Sequence, residues 1–319
     1  MRYMQIGQDR ASVIGLGTWQ FGAAEWGWQD SHRDEAIRII HRALELGINV
    51  IDTAEAYAKG KSESIIGQAL SGMREKAFLA TKLLPLFPTP SRIRRAAKNS
   101  LMRLRTERVD LYQIHWPNPV IPLGVQMRGM RDVQDAGWTT HVGVSNFSLA
   151  KWQKAEKCLG RPVMTNQVKY NLLRRKPDAL LPWCEQMGRV VIAYSPLAQG
   201  LLTGKYGPDN PPRRDVRRMN TLYTRANLEA ARPLLDALRE SARKHGATCG
   251  QIALAWLIRR PNVIAIPGAK DVRQLEQNAA AADIELTEDE DARLTETSDR
   301  FHAAGLRGVP QFIGRLVRG

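Results

Sequence analysis

The segment "VIDTAEAYAKGKSE", Val50 to Glu63, sets a carboxylate, Asp52, at the end of a strand-like run and a phenol, Tyr57, shortly after it. Two further groups hold matching places in later strand-like runs: Lys82 closes "AFLATK" and His115 closes "VDLYQIH". A free phenol, with a pKa of about 10, gives up a proton poorly at neutral pH, and a neighbouring ammonium lowers that value by stabilising the phenolate. Lys82 suits that role. A lysine drawn out of water tends to lose its proton unless a carboxylate accompanies it, and Asp52 supplies the counter-charge. A neutral His115 would then hydrogen-bond an oxygen of a bound molecule and orient it. Together the four read as a proton-donating site in which Asp52 holds Lys82 and Lys82 tunes Tyr57. Singly, Tyr57 reads as a loop aromatic and His115 as a hydrogen-bonded core histidine, so the chemistry depends on their meeting.

Bringing them together is the task of the surrounding elements. Short β-branched runs alternate with helical stretches, the pattern of a parallel-sheet α/β protein. The runs are Val13 to Gly17, Ile48 to Thr53, Ala77 to Lys82, Val109 to His115, Thr140 to Ser145, Val163 to Val168, Val190 to Ser195 and Val263 to Pro267. Between them lie amphipathic segments such as "RDEAIRIIHRALELG", with Ile37, Ile40 and Leu44 beside Ala36, Ile39 and Ala43, closed by Gly47. Eight such units predict a closed (β/α)8 TIM barrel, preceded by an N-terminal β-hairpin through Met1 to Ser12, with residues 1–319 forming one domain. In a barrel the C-terminal strand ends converge on one mouth, where Asp52, Lys82 and His115 would be joined by Ser145, Asn146 and Gln167. A dinucleotide-binding turn at "GLGTWQFG" is disfavoured, because Gln20 stands where the third glycine belongs and Trp19 would crowd the pyrophosphate. The stretch "QGLLTGKYGPDNPPRRDVRRMN" after the seventh strand reads as a long functional loop.

The composition, 43% hydrophobic and 25% charged, gives ample material for a core and argues against disorder. No apolar run is long enough to span a bilayer and no secretory leader is evident, so a soluble, cytoplasmic protein is expected. Cys158, Cys184 and Cys249 are dispersed and read as packing thiols rather than a disulfide or zinc framework. The formal charge of +15 raises the question of nucleic acid, yet the clusters at Arg92 to Arg108, Arg213 to Arg218 and the C-terminal tail have no recognition motif beside them. A solvated basic surface follows, with steering of an anionic cofactor as a milder functional reading.

These motifs resemble the aldo-keto reductases over essentially the whole chain. "GINVIDTAEAY" is similar to that family's G-x-x-x-x-D-T-A-x-x-Y signature, "TKL" carries its lysine, "DLYQIHWP" its histidine and "HVGVSNF" its fifth-strand motif; "YSPLAQGLLTGKY" and "IPGAKDVRQLEQN" are similar to its cofactor segments. The resemblance implies reduction of an aldehyde or ketone with NADPH and without a metal, hydride leaving nicotinamide C4 and the proton leaving Tyr57. It implies Asp52, Tyr57, Lys82 and His115 as the catalytic tetrad, Ser145, Asn146 and Gln167 on the carboxamide, and Tyr194 stacked on the nicotinamide ring. It further implies Ser195, Leu197, Gly200 and Leu202 along the pyrophosphate, with Gly268, Lys270, Gln274, Gln277 and Asn278 around the adenosine. Two positions depart from the family: Ala58 follows the tyrosine, and Gln277 stands where an acid is common.

Trp19 and Trp116, on loops after the first and fourth strands, are expected to wall a pocket for a small carbonyl substrate, with Trp26 and Trp28 as further candidates. His141 reads as structural, and Asp271 with Gln274 as a helix-capping pair. A cofactor-binding regulatory subunit on the same barrel is the alternative function. A metal-dependent hydrolase would need a cluster of ligands around His115, which the sequence does not offer.

Overall fold

The computed structural model describes residues 1–23, 32–212, 217 and 220–303. Its chain begins with the expected hairpin, β1 (Tyr3–Ile6) and β2 (Asp9–Ser12), paired antiparallel around Gly7 with Tyr3 opposite Ser12. Gly7 has φ 63°, a left-handed turn conformation that glycine adopts without strain. Eight parallel strands follow: β3 (Leu16–Gly17), β4 (Val50–Asp52), β5 (Phe78–Leu83), β6 (Val109–Ile114), β7 (Thr139–Ser145), β8 (Val163–Lys169), β9 (Val190–Tyr194) and β10 (Val263–Ala265). Each pairs with its successor in the chain. A parallel bridge from Ile14 to Ala265, with Gly15 N donating to Ala265 O at 2.8 Å and Ala265 N to Val13 O at 2.9 Å, joins the two ends of the sheet into a barrel. No edge is left open between first and last strand.

The helices coat the outside. α1 (Arg33–Glu45), α2 (Lys61–Ala69), α3 (Pro90–Leu104), α4 (Leu123–Asp135), α5 (Leu149–Leu159) and α6 (Leu181–Met187) each return the chain to the next strand. α7 (Arg225–Ala230), α8 (Arg232–Lys244) and α9 (Cys249–Ile258) lie between β9 and β10, and α10 (Val272–Ala280) and α11 (Glu288–Asp299) follow β10. α1 buries Ala36, Ile39, Ile40 and Ala43, while Ile37 and Leu44 are half-buried at the margin of that stripe, and Gly47 reverses the chain at φ 78°. α3 begins where Thr89 Oγ1 accepts from Arg92 N and Pro90 sets the first helical φ. Among the described residues no helix is long and apolar enough to cross a membrane.

Two apolar layers result. The larger lies between sheet and helices, and the smaller fills the barrel itself: Val50, Phe78, Ala80, Leu111, Met164, Val190, Ile192, Ile264 and Ile266, joined by Ile6 and Ala11 of the hairpin. The hairpin is therefore the floor of the barrel, and His141 Nε2 fastens it by bonding Asp9 Oδ2 at 2.7 Å. Ile6 is fully buried there, so Ile6→Ala would cost about 2–5 kcal/mol by cavity formation. With one end plugged by apolar side chains, the polar residues at the strand C-termini line the other.

Strand bounds differ from the sequence expectation at the first and later ends. Val13 to Ile14 bonds to the last strand rather than to β4, so the first strand shortens to Leu16–Gly17. The seventh ends at Tyr194 because Ser195 turns to φ 49°, outside the extended region.

Candidate active site

Asp52, at the end of β4, is anchored through its backbone and side chain together. Thr18 Oγ1 donates to Asp52 O at 2.9 Å, and the hydroxyls of Thr18, Thr53 and Ser62 share hydrogen bonds of 2.9 Å on the protein-interior side. Gln167 Nε2, from β8, donates to Asp52 Oδ2 at 2.6 Å. The other carboxylate oxygen, Oδ1, receives Lys82 Nζ at 2.6 Å. Lys82 is fully buried and uses its remaining donors on Thr53 O at 2.7 Å and on the Tyr57 hydroxyl at 3.1 Å. An ammonium thus bridges a carboxylate and a phenol in the arrangement expected from the sequence.

Tyr57 reaches that position from a strained turn. Ala58 and Lys59 have φ 47° and 56°, and Gly60, with φ 87°, opens α2. An alanine held at positive φ costs about 1 kcal/mol relative to glycine, so the departure at Ala58 weakens the turn without displacing it. Glu55 clamps the same loop over β5, its carboxylate accepting Leu84 N at 2.7 Å and facing Arg92 at 3.4 Å.

Burial pushes the Asp52 carboxyl up against the pull of Lys82, while the Asp52 charge and the phenol outweigh burial at Lys82 and hold its ammonium above the ordinary lysine value. The expectation for Tyr57 needs correction in sign. Burial raises the phenol, Lys82 only partly offsets it, and Asp52 pushes the same way as burial, so the net direction is upward. The physical reason is first the burial of the phenol, and then that the ammonium facing it is already compensated by a carboxylate 2.6 Å away.

His115 follows β6, its N–H bonded to Leu83 O at 3.1 Å, and its ring meets Tyr57 edge-on with centroids 5.7 Å apart. Burial, and then the charge of Lys82, lower the imidazole to about 3, so the ring is neutral at working pH. Its buried Nδ1 has no hydrogen-bond partner among the described residues. Trp116 stacks on the same ring at 5.9 Å. Trp19 and Trp116 remain 45% and 47% exposed and line the opening above the tetrad with Leu84.

From there a cleft of about 1090 Å³ extends across the barrel mouth to the start of α10. Ser145, Asn146, Gln167, Tyr194, Ser195, Leu197, Gly200, Gly268, Lys270, Gln274, Gln277 and Asn278 all line it. Their polar groups are partly committed to one another: Ser145 Oγ donates to Gln167 O at 2.7 Å, Asn146 Nδ2 to His115 O at 3.2 Å, and the Tyr194 hydroxyl to Asn146 Oδ1 at 3.0 Å. Leu202 stands apart, fully buried with its N–H on Leu197 O, and does not line the cleft. Asp271 accepts Gln274 N at 2.8 Å as the cap of α10, as the capping pair predicts. Trp26 and Trp28 lie outside the described residues.

Sequence reasoning passed over several lining groups. Gln20 Nε2 donates to Ala269 O at 2.9 Å, and a Cβ at Gly268 would come within 2.7 Å of the Gln20 amide, so glycine there makes room for it. Gln199, at φ 55°, accepts Arg217 Nε at 2.8 Å through its carbonyl and so draws the long loop onto the cleft. Its signal was the Gln-Gly pair opening that loop. Ser62, in "KGKSE", was also passed over; it is fully buried behind the cleft, where its hydroxyl meets those of Thr18 and Thr53.

The match to known proteins agrees with this geometry. The model of the Aldo/keto reductase family matches residues 13–299, and the chain belongs to that family. An uncharacterized oxidoreductase of Mycobacterium tuberculosis is 50% identical over 323 residues, covering 100% of this chain and 98% of its own. The glycerol dehydrogenase of Gluconobacter oxydans superposes with a TM-score of 0.85 at 33% identity, over 94% of this chain and 95% of its own. An aldo/keto reductase from Klebsiella pneumoniae, solved in complex with NADP and acetate, gives 0.73 at 33% identity over 91% of this chain and 92% of its own. The chain is therefore an oxidoreductase-family barrel.

Proposed function

We propose that the protein reduces an aldehyde or ketone to an alcohol with NADPH, Tyr57 being the proton donor. The observation that carries this reading is the Lys82 ammonium held between Asp52 Oδ1 at 2.6 Å and the Tyr57 hydroxyl at 3.1 Å at the base of an open cleft. A carbonyl oxygen lying beside the phenol and His115 Nε2, the ring nitrogen that is not buried, takes one hydrogen bond from each when the imidazole is the neutral Nε2–H tautomer. As negative charge grows on that oxygen, Tyr57 gives it the phenolic proton, and the Lys82 ammonium stabilises the phenolate left behind. The buried Asp52 carboxylate keeps the ammonium charged in a dry site. The elevated Tyr57 keeps its proton at neutral pH, so the donor is fully loaded before reaction.

NADPH, when bound, supplies the hydride. The residues present fit it. The cleft, of about 1090 Å³, is lined by Ser195, Leu197, Gln199 and Gly200, a turn with left-handed residues at Ser195, Ala198, Gln199 and Gly200, and at its α10 end by Lys270, which precedes that helix's N-terminus. Asp271 is engaged as the cap and does not oppose a phosphate there as strongly as a free carboxylate would. Tyr194, Asn146, Ser145 and Gln167 would hold the nicotinamide, and Lys270, Gln274, Gln277 and Asn278 the adenosine phosphate end. The NADP complex of the Klebsiella relative supports the choice of cofactor. Trp19 and Trp116 would wall the substrate.

The test is NADPH consumption over a panel of aldehydes and ketones by wild type and Tyr57→Phe. Wild type should turn over at least one neutral aldehyde, and the Phe variant should lose roughly 100-fold or more while binding NADPH normally, since general acid catalysis contributes about 10²–10⁴-fold. Equal turnover by the two would exclude Tyr57 as the acid. Normal NADPH binding without turnover of any carbonyl would favour the regulatory-subunit reading.

A further inference from the structure

Lys169 occupies an unusual place at the end of β8. Gln167 and Lys169 are two apart on one strand and so share a face, with Lys169 roughly 6.6 Å further out toward the mouth. That face is the one from which Gln167 reaches Asp52. Lys169 is paired in register with Tyr194, and both line the cleft. It is half-buried, yet among the described residues no carboxylate lies within ion-pair distance of its ammonium. The acid nearest in its own loop, Asp178, is occupied by Arg175 at 2.7 Å and by the Tyr170 hydroxyl. Arg174, in the same loop, has no acidic partner among the described residues either, and its charge is felt at both Lys169 and Tyr194.

The surrounding charges do not cancel this excess. Among the described residues Asp52 is the single carboxylate lining the cleft, and Lys82 already compensates it. His115 is neutral. Elsewhere in the fold Arg103 pairs with Glu63, Arg189 with Glu156 and Arg260 with Asp291, and Arg131 is held by the carbonyls of Cys158 and Leu159. Lys270 stands at the α10 end, where the cofactor phosphate is placed by the reading above. Burial without a counter-charge destabilises the Lys169 ammonium and lowers its pKa, with Arg174 adding to the effect. An anion arriving beside it would restore what burial removes.

We propose that Lys169, with the charge of Arg174 adding to its own, forms an anion subsite in the cleft wall beside Tyr194, selecting carbonyl substrates that carry a carboxylate or phosphate. The inference rests on the carbonyl-reductase reading and specifies the substrate class. A charge-assisted hydrogen bond contributes about 1.5–3 kcal/mol, so the expected selectivity is about 10–100-fold.

The experiment compares 4-carboxybenzaldehyde with 4-nitrobenzaldehyde, a neutral analogue of nearly the same shape, on wild type, Lys169→Gln and Lys169→Arg. Lys169→Gln should lower kcat/KM for the carboxylate about 10–100-fold relative to the nitro compound, chiefly through KM, and Lys169→Arg should restore most of it. The wild-type advantage of the carboxylate should shrink as salt rises. Glyceraldehyde 3-phosphate against glyceraldehyde, run in parallel, tells whether phosphate or carboxylate is the better anion. Equal losses on both benzaldehydes, or a weakened NADPH affinity with unchanged selectivity, would assign the cation to the cofactor and overturn the inference; no effect on either would overturn it also. Calorimetric titration of the same two aldehydes into the NADP-loaded protein reads the preference without turnover. Failure to turn over any aldehyde would then count against the reductase reading alone, whereas equal binding of the two would count against the subsite.

Discussion

Lys82→Met removes the one cation that makes the buried Asp52 tolerable. Both side chains are essentially inaccessible, and Lys82 makes three hydrogen bonds, to Asp52, Thr53 O and Tyr57. After the substitution Asp52 keeps Gln167 Nε2 at 2.6 Å but no opposite charge in contact. Breaking a buried pair by deleting one partner costs about 3–5 kcal/mol, and the completeness of this burial favours the upper half of that range. The loss should also depend on pH. Burial is the largest influence on Asp52 and acts upward, with Lys82 the main opposing one, so its removal raises the folded carboxyl further above the unfolded value. Between the two values the folded chain binds more protons than the unfolded chain, and stability then falls as pH rises, by up to about 1.4 kcal/mol per pH unit. At low pH a protonated Asp52 relieves the defect. Urea unfolding of wild type, Lys82→Met and Lys82→Met/Asp52→Asn from pH 5 to 8 measures both effects. The double variant should recover most of the stability and lose the extra slope. A cost for Lys82→Met below about 1 kcal/mol, with a pH slope parallel to wild type, would refute the ion pair as a buried, mutually dependent unit.

His115, held near 3 when folded against about 6.5 when unfolded, binds fewer protons in the folded chain across that window, so stability is present above 6.5 and falls as pH drops toward 3. His115→Asn should flatten that part of the urea-midpoint profile between pH 7 and 4.5, and an unchanged profile would show that the ring is solvated. NADPH should bind more tightly than NADH by a margin that narrows with salt and with Lys270→Ala, because an exposed lysine at a helix N-terminus gives a screened contact without the bidentate grip of arginine. Tryptophan-fluorescence titration of both cofactors checks it: equal wild-type affinities would place phosphate recognition elsewhere.

The barrel was legible because strands covered on both faces must be apolar along their length, as in Val190–Tyr194, and still end in polar residues at the open mouth. Bounds were less legible where pairing changes sides: nothing in "VIGLG" says that Ile14 bonds to Ala265 while Leu16 pairs with Ile51. The tetrad was legible for a similar reason, since an aspartate, a lysine and a histidine at successive strand ends share one rim in a barrel. What they do to each other was not. The direction at Tyr57 is a sum of burial, the Lys82 charge and the Asp52 charge, with signs that oppose, and a sequence supplies the charges without the burial. Gln167 shows the same limit, because its residue type permits a ligand contact and only the fold reveals that its amide nitrogen is already engaged by Asp52. Lys169 is the clearest instance. It lies one residue beyond the strand read from the sequence as Val163 to Val168, and only the fold reveals that it is half-buried in the cleft wall and that the acid in its own loop belongs to Arg175. A missing partner leaves no mark on a sequence, whereas in three dimensions it is a measurable imbalance of charge. On the reading proposed above, the binding preference of this cleft should therefore follow from that imbalance more than from the four residues proposed to carry the reaction.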